Sequence, residues 1–380
     1  MIKASNNNCY SCGNCNVVCT KDAIVMDFDL IPSVDKSKCI DCNMCNNVCT
    51  INNTNNTNWI ETGVGYVAKT TDKDVLNHSS SGGIFNCLAQ YALLHGYYVA
   101  GCCFDESFLP KHVVSNNYSD ILHMMGSKYV KSDLTECTKS MMKLLDCGEK
   151  ILFSGTPCQV SAVKKLFNKY SDNMIYVAVA CHGSIDRTIW SRYISESYRV
   201  KEIDSIYMRD KSKGWLNYGL KVVYKNGEEE VSYRNTNGFF LKCYTDGLFE
   251  RKRCLTCDYK GNSIEADIIL GDAWGMDSYF PDLVDNRGAS SVICTSPKGG
   301  TIIEELLGSS IIAESVDCGL IISKNRRIIE PAEINPRRKF FLHEIYVGKK
   351  DIASICKKYG KRNLKNRLIN KLFSILCNSR

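Results

Sequence analysis

Beyond residue 62 the chain alternates short apolar runs with segments whose apolar positions recur at helical spacing. GVGYVAK at 63–69, YYVAGCCF at 97–104, ILFSG at 151–155 and IYVAVAC at 175–181 have the length and side-chain content of buried strands. The turn Ser79–Gly83 opens a helix in which Ile84, Phe85, Leu88, Tyr91, Ala92 and Leu94 recur at that spacing. TPC at 156–158 leads into another, QVSAVKKLFNKY at 159–170. Strands alternating with helices of about 10–15 residues predict βαβ units. Further on, Asn226-Gly227 between the two alternating runs of KVVYKNGEEEVSYR predicts a hairpin. Residues 1–50 are different in texture, with Ala23–Met26 as a short strand, and INNTNNTNW at 51–59 reads as a linker with nothing to pack. From Lys349 the chain turns helical, with Ile352, Ile355, Leu364, Leu368, Leu372 and Ile375 among basic residues.

Composition narrows the chemistry. The chain has 22 Cys in 380 residues, which calls for disulfides or metal. It is too long for a mini-protein that is held together by crosslinks. MIKASNNNCY has no apolar leader, and no run nears the roughly 18 apolar residues of a spanning helix. A cytoplasmic protein with metal-binding thiolates is therefore expected. With 44% hydrophobic and 23% charged residues the chain is globular, and its length suggests about two to three domains. The net charge of +7 resides in the tail, where Lys349–Arg380 holds ten Lys/Arg against Asp351. A near-neutral remainder argues against a nucleic-acid partner. The tail, basic around an apolar stripe, can lie on an anionic membrane as a peripheral contact. A solvated or packed helix is the preferred alternative.

Two copies of one cysteine pattern recur about thirty residues apart: Cys9, Cys12, Cys15, Cys19 and Cys39, Cys42, Cys45, Cys49. The spacing C-x2-C-x2-C-x3-C is that of bacterial two-cluster iron–sulfur binding, in which the fourth thiolate ligates the other cluster. Cys9, Cys12, Cys15 and Cys49 are thus expected on one 4Fe–4S cluster, and Cys39, Cys42, Cys45 and Cys19 on a second. Zinc sites more often use two separated C-x2-C pairs. Thr20 and Thr50 stand where such motifs usually have proline, which does not ligate. These clusters pass single electrons and do no substrate chemistry, so the remaining residues must supply or use the electrons.

Four further stretches occur together: SSSGGIFNCLAQYAL (79–93), GSKYVKSDL (126–134), ILFSGTPCQVSAVKKL (151–166) and RKRCLTCDYKGNSIEADIILGDAWG (251–275). CHG at 181–183 and RDKSKGW at 209–215 accompany them. From Cys9 to about Phe341 the chain resembles the beta-subunit family of coenzyme F-420 hydrogenases and dehydrogenases, which also contains a hydroxymethyl-chlorophyll reductase. The resemblance implies an iron–sulfur flavoprotein that holds FAD and a further 4Fe–4S cluster. Cys254 and Cys257 offer two thiolates from one loop. Cys158 lies at an expected helix N-terminus that favours thiolate, and Cys181 ends an expected strand. These four are the expected ligands of the third cluster. Cys243 is the competitor, and small apolar core thiols are the alternative for Cys158 and Cys181.

Ser80, Ser81, Gly82 and Gly83 are first choice for flavin contact, because paired glycines let backbone approach a ring or phosphate ahead of a helix. A helix-capping loop has the same look. Ser127, Lys128 and Tyr129 come second, and Asp272 with Trp274 lines the same cavity or forms a capped buried tryptophan. His182 is the candidate proton donor near the flavin, with a structural histidine as its alternative.

The expected class is α+β or α/β. A two-cluster ferredoxin-type domain (1–52) and linker (53–62) precede a flavin-binding region (63–150), a third-cluster region (151–345) and a basic helical tail (346–380). The expected function is an oxidoreductase that passes electrons between a hydride carrier or reducible small molecule at FAD and the clusters, with ferredoxin or another carrier protein as partner. The alternative is an electron-transfer adapter subunit with no substrate of its own. No residue diagnoses a deazaflavin.

Overall fold

Apolar alternation with period two fixes which strands lie inside. The computed structural model describes residues 5, 7–51 and 56–361. β1 (Ile24–Met26) and β2 (Pro32–Val34) pair antiparallel in the cysteine-rich segment. β3 (Val64–Thr70), β4 (Tyr97–Phe104), β5 (Pro110–Ser115), β6 (Lys150–Gly155) and β7 (Met174–Val179) then build most of a large sheet. A separate antiparallel sheet follows, from β8 (Ile203–Asp210), β9 (Gly219–Tyr224) and β10 (Glu229–Tyr233). β11 (Ile268–Asp272), β12 (Ser290–Cys294) and β13 (Ile311–Val316) complete the large sheet, in the order β13-β3-β12-β11-β7-β6-β4-β5.

The expected βαβ pattern holds for one block only. β4–β6, β6–β7 and β7–β11 are parallel, whereas β5, β12, β3 and β13 run antiparallel to their neighbours. The chain between Phe104 and Pro110 is too short for a crossover helix, so β5 must turn back. In the interior strands both faces are buried. Leu152, Ile175 and Val177 join one core layer with Ile84, Leu88 and Ile303, while Ile151, Phe153, Met174 and Tyr176 join the other with Met141, Val160 and Val163. The hairpin at Asn226-Gly227 joins β9 to β10, with Gly227 at φ 85°.

A second core gathers Trp190, Tyr193, Phe240, Phe249 and Phe341. The helix Ile352–Gly360 completes it, with Ile352 and Ile355 fully buried, so the apolar face of this part of the tail is spent inside the protein. The rest of the predicted tail stripe (Leu364, Leu368, Leu372, Ile375) lies outside the described residues. Near the expected linker, Trp59 is 1% exposed and donates its indole N–H to the Gly261 carbonyl at 2.8 Å. Trp59, inside the expected linker, therefore packs where an untethered position was expected. Among the described residues no helix is long and apolar enough to cross a membrane.

His112 on β5 is 4% exposed, stacks on Phe153 at 5.5 Å, and has Nε2 3.2 Å from the Ser154 carbonyl. Burial pushes its pKa down to about 3 from 6.5. Between those values the unfolded chain binds the extra proton, so stability falls as pH drops below 6.5. Between pH 6.5 and 5.5, thermal melts of the native chain should lose up to about 1.4 kcal/mol more than those of His112→Phe. Parallel profiles would refute this. Trp190→Ala removes a fully buried indole whose N–H reaches the Phe108 carbonyl at 2.7 Å, and chemical denaturation should register a loss of about 3–5 kcal/mol.

Candidate functional site

Parallel neighbours end on the same edge of a sheet, and α/β sheets place their crevices there. Outside the carboxyl ends of β4, β6, β7 and β11 lies a cavity of about 710 Å³. Gly101 and Cys102, Ser154 and Gly155, Val179 to Cys181, and Leu270 to Asp272 form its sheet wall. Cys158, Cys181, Cys254 and Cys257 all line it.

Each of these thiols is placed by local structure. Thr156 and Gln159 form a reciprocal capping box on the helix Pro157–Leu166, which sets Cys158 in its first turn. The Cys158 Sγ lies 3.3 Å from the Thr156 hydroxyl. Cys181 follows β7 directly, and its Sγ accepts from the Gly183 N–H at 3.4 Å. Cys254 and Cys257 sit in and just after a single 3-10 turn, Lys252–Thr256. Burial, then the neighbouring thiols Cys254 and Cys158, push Cys181 up to about 11 against the pull of Lys260. Cys257 is raised by burial and by Cys158, Cys254 and Cys181. Cys181 and Cys257 therefore each lie within electrostatic reach of the other three thiols. Cys243 does not join them: it is buried in the second core, and its thiol faces the Cys356 carbonyl at 3.5 Å.

The other expected site residues distribute unevenly. Ser80, Ser81, Gly83, Ser127, Lys128, Tyr129, Asp272, Trp274 and His182 line the cavity. The Ser80 hydroxyl accepts from the Ser127 N–H at 2.7 Å, which joins the two serine-bearing turns. Gly82 stays behind them, giving its N–H to the Ser290 hydroxyl; a Cβ there would come within 2.4 Å of the Ala68 carbonyl. Its lack of a side chain serves strand packing. The Lys128 ammonium is spent on the carbonyls of His123 and Met125 at 2.9 and 2.6 Å. His182 has Nε2 3.2 Å from a carboxylate oxygen of Glu250, whose side chain is fully buried.

Arg209, unremarked within RDKSKGW, is the main residue that sequence reasoning missed. It leaves β8 with a side chain 6% exposed and donates to Asp272 at 2.7 Å, while Trp215 supports the same carboxylate at 3.2 Å. Its guanidinium lies over Tyr218 and Trp274, at 4.7 and 5.1 Å from the ring centroids. Nε and Nη2 have no hydrogen-bond partner, although they are buried. Lys211 from the same stretch ties down the Ser81 carbonyl at 2.9 Å, and burial, with Arg209 next, pushes it down to about 8. Lys131, Arg234 and Lys260 also line the cavity, against Asp272 alone among the carboxylates of the described lining residues.

The two N-terminal copies share a backbone. Ser11 and Asp41 both have φ 51°, and Gly13 and Asn43 both precede a short helix in the left-handed region, at φ 79° and 63°. Cys9, Cys12, Cys15 and Cys49 line one small cavity. Burial, with Cys9 and Cys49 adding to it, pushes Cys12 up to about 11; Cys15 is raised by burial and by Cys12, Cys9 and Cys49. In the second set Cys19, Cys39 and Cys45 are half-buried and Cys42 is exposed. Among the described residues no three His, Cys, Asp or Glu side chains close round a point as the ligands of a single ion do.

Residues 65–139 match the family model for the coenzyme F420 hydrogenase/dehydrogenase beta subunit N-terminus, and residues 148–316 match that for its C terminus. The coenzyme F420 hydrogenase subunit beta of Methanococcus voltae is 26% identical over 278 residues, 70% of this chain and 85% of that protein. Its counterpart from Methanosarcina barkeri is 28% identical over 217 residues, 56% and 71% of the respective chains. A chain in the structure of the F420-reducing [NiFe] hydrogenase complex from Methanosarcina barkeri aligns with a TM-score of 0.47 at 22% identity, covering 70% of this chain and 89% of its own. With both halves of the family's pattern matched in order across the sheet that builds the cavity, the chain belongs to the coenzyme F420 hydrogenase/dehydrogenase beta-subunit family.

Proposed function

We propose that the chain is an iron–sulfur flavoprotein oxidoreductase in which one cavity holds FAD beside a third 4Fe–4S cluster, wired to an N-terminal two-cluster ferredoxin-type domain. The observation that carries this reading is that a single cavity is lined by Cys158, Cys181, Cys254 and Cys257 together with a wall of serines, aromatic rings and cations. Its volume of about 710 Å³ suits a cofactor, since such sites run to about 300–1,000 Å³. Cys181 and Cys257, raised by burial and by neighbouring thiols, need a cationic centre to become thiolates, and a cubane of iron would supply one.

Cys158, Cys181, Cys254 and Cys257 would hold the body cluster. Ser80, Ser81, Gly83 and Ser127 would cradle the flavin and Tyr129 would cover it, while the unpartnered Nε and Nη2 of Arg209 meet an anionic group. Bound there, the flavin exchanges electron pairs with a hydride carrier or reducible small molecule and single electrons with the clusters. The residues contribute position, charge and exclusion of water. A ferredoxin-like carrier and a cytoplasmic setting belong to the same proposal. The curated relatives are named as hydrogenase subunits, which favours a second reading as an electron-transfer adapter within a redox complex. Substrate oxidation or reduction by the isolated protein separates the two.

Anaerobic purification with iron, sulfide and flavin analysis should return about twelve irons and one FAD per chain. Cys254→Ser should leave about eight irons with the flavin retained; unchanged iron would remove Cys254 from the site. Arg209→Gln should weaken FAD or substrate binding about ten- to a hundred-fold by titration, because a charge-assisted hydrogen bond contributes about 1.5–3 kcal/mol. Unaltered affinity for both would take Arg209 out of the ligand site.

A further inference from the structure

The two cysteine sets of the N-terminal segment do not face the body equally. Cys9 lines the large cavity together with Cys158, Cys181, Cys254 and Cys257, and it also lines the small one with Cys12, Cys15 and Cys49. Next to it, the Tyr10 ring meets Tyr259 edge-on at 4.9 Å and 69°, two residues beyond Cys257. The Tyr10 hydroxyl donates to Asp258 Oδ2 at 2.9 Å and accepts from the Asp258 N–H at 3.1 Å, and Arg253 covers the same ring at 4.4 Å. The Tyr259 hydroxyl in turn donates to the carbonyl of Thr50, the neighbour of Cys49, at 2.8 Å. The helix that starts with Pro157 and Cys158 adds two bonds: Lys165 to the Cys49 carbonyl at 2.7 Å, and Asn14 to the Ala162 carbonyl at 2.8 Å. Gly13 fits so tightly that a Cβ would come within 2.8 Å of the Thr135 hydroxyl. Every one of these contacts reaches the Cys9–Cys15 loop or the chain beside Cys49. In the other copy Ile40 to Met44 are exposed, with Cys42 among them.

Resting on the function proposed above, we propose that the N-terminal module has a fixed polarity. Cys9, Cys12, Cys15 and Cys49 form its entry from the body, exchanging electrons with the Cys158–Cys257 set across the Tyr10–Tyr259 contact. Cys19, Cys39, Cys42 and Cys45 form its exit, which faces a one-electron carrier protein. Each step moves one electron between neighbours in that order, body cluster, entry cluster, exit cluster and carrier, one partner being oxidised as the next is reduced in whichever direction the electron runs. No proton or bond moves. Tyr10 and Tyr259 are positioning residues in this scheme; they set the gap between two thiol sets and ligate nothing.

The test is electron paramagnetic resonance on the full-length chain, reconstituted anaerobically and reduced with dithionite. Spin coupling falls steeply with separation, so the body-cluster signal should be broadened and relax quickly through the entry cluster. Cys12→Ser should narrow that signal, and Cys42→Ser should leave it as in the native chain, each at about eight irons instead of about twelve. Narrowing in Cys42→Ser with none in Cys12→Ser overturns the polarity, as does equal narrowing in both. If either substitution strips both N-terminal clusters, the native protein decides: one strong and one weak coupling supports the order, and two equal couplings overturn it. Failure of the underlying function looks different, because iron content that Cys254→Ser leaves unchanged removes the body cluster itself.

Discussion

Four adjacent parallel strands must all end on one side of the sheet, and this constraint brings the site together. β4, β6, β7 and β11 are far apart in sequence, yet they deliver Cys102, Cys158, Cys181 and Asp272 to the same edge. Their interiors are apolar on both faces, so neither register nor direction can change without exposing a core layer. The antiparallel strands on either flank are peripheral to that convergence. The small sheet adds the opposite wall, since β8 carries Arg209 to Asp272.

Electrostatically the site holds several buried polar groups that the protein itself compensates only in part. A buried guanidinium that is only partly paired, the thiols of Cys181 and Cys257 raised by burial and by neighbouring thiols, and the enclosed Glu250 carboxylate all carry desolvation cost. Groups that bind the folded state supply the missing partners and so stabilise the fold itself. On the proposed function, cofactor retention and folding would be in this sense one equilibrium.

Strand positions were legible wherever apolar runs were long and bounded, as at 97–104 and 151–155. The hairpin followed from Asn226-Gly227 alone. Strand direction was less legible, because β5 and β12 look like any buried strand until the connection length or the pairing partner is known. Spacing proposed the cysteine sets, and the structure brings Cys9, Cys12, Cys15 and Cys49 to one small cavity. Arg209 could not be found in that way: an arginine in RDKSKGW reads as a solvated charge, and only the third dimension shows the tryptophans and the carboxylate around it. Gly82 and Lys128 show the converse. Their residue types suit a phosphate or a ring, but a neighbouring strand and a helix end claim them. Trp59 was lost to its context, since one indole in an Asn/Thr-rich stretch does not announce a core residue.

Trp59 and the bonds around Thr50 have a mechanical consequence. On the other side, Asp29, in the connection between β1 and β2, accepts from the Thr188 N–H and hydroxyl at 2.9 and 2.7 Å, so the cysteine-rich segment is moored at both ends. Such a segment is a bracket and not a swinging arm. On the proposed function, transfer through it would be governed by a separation set when the polypeptide folded.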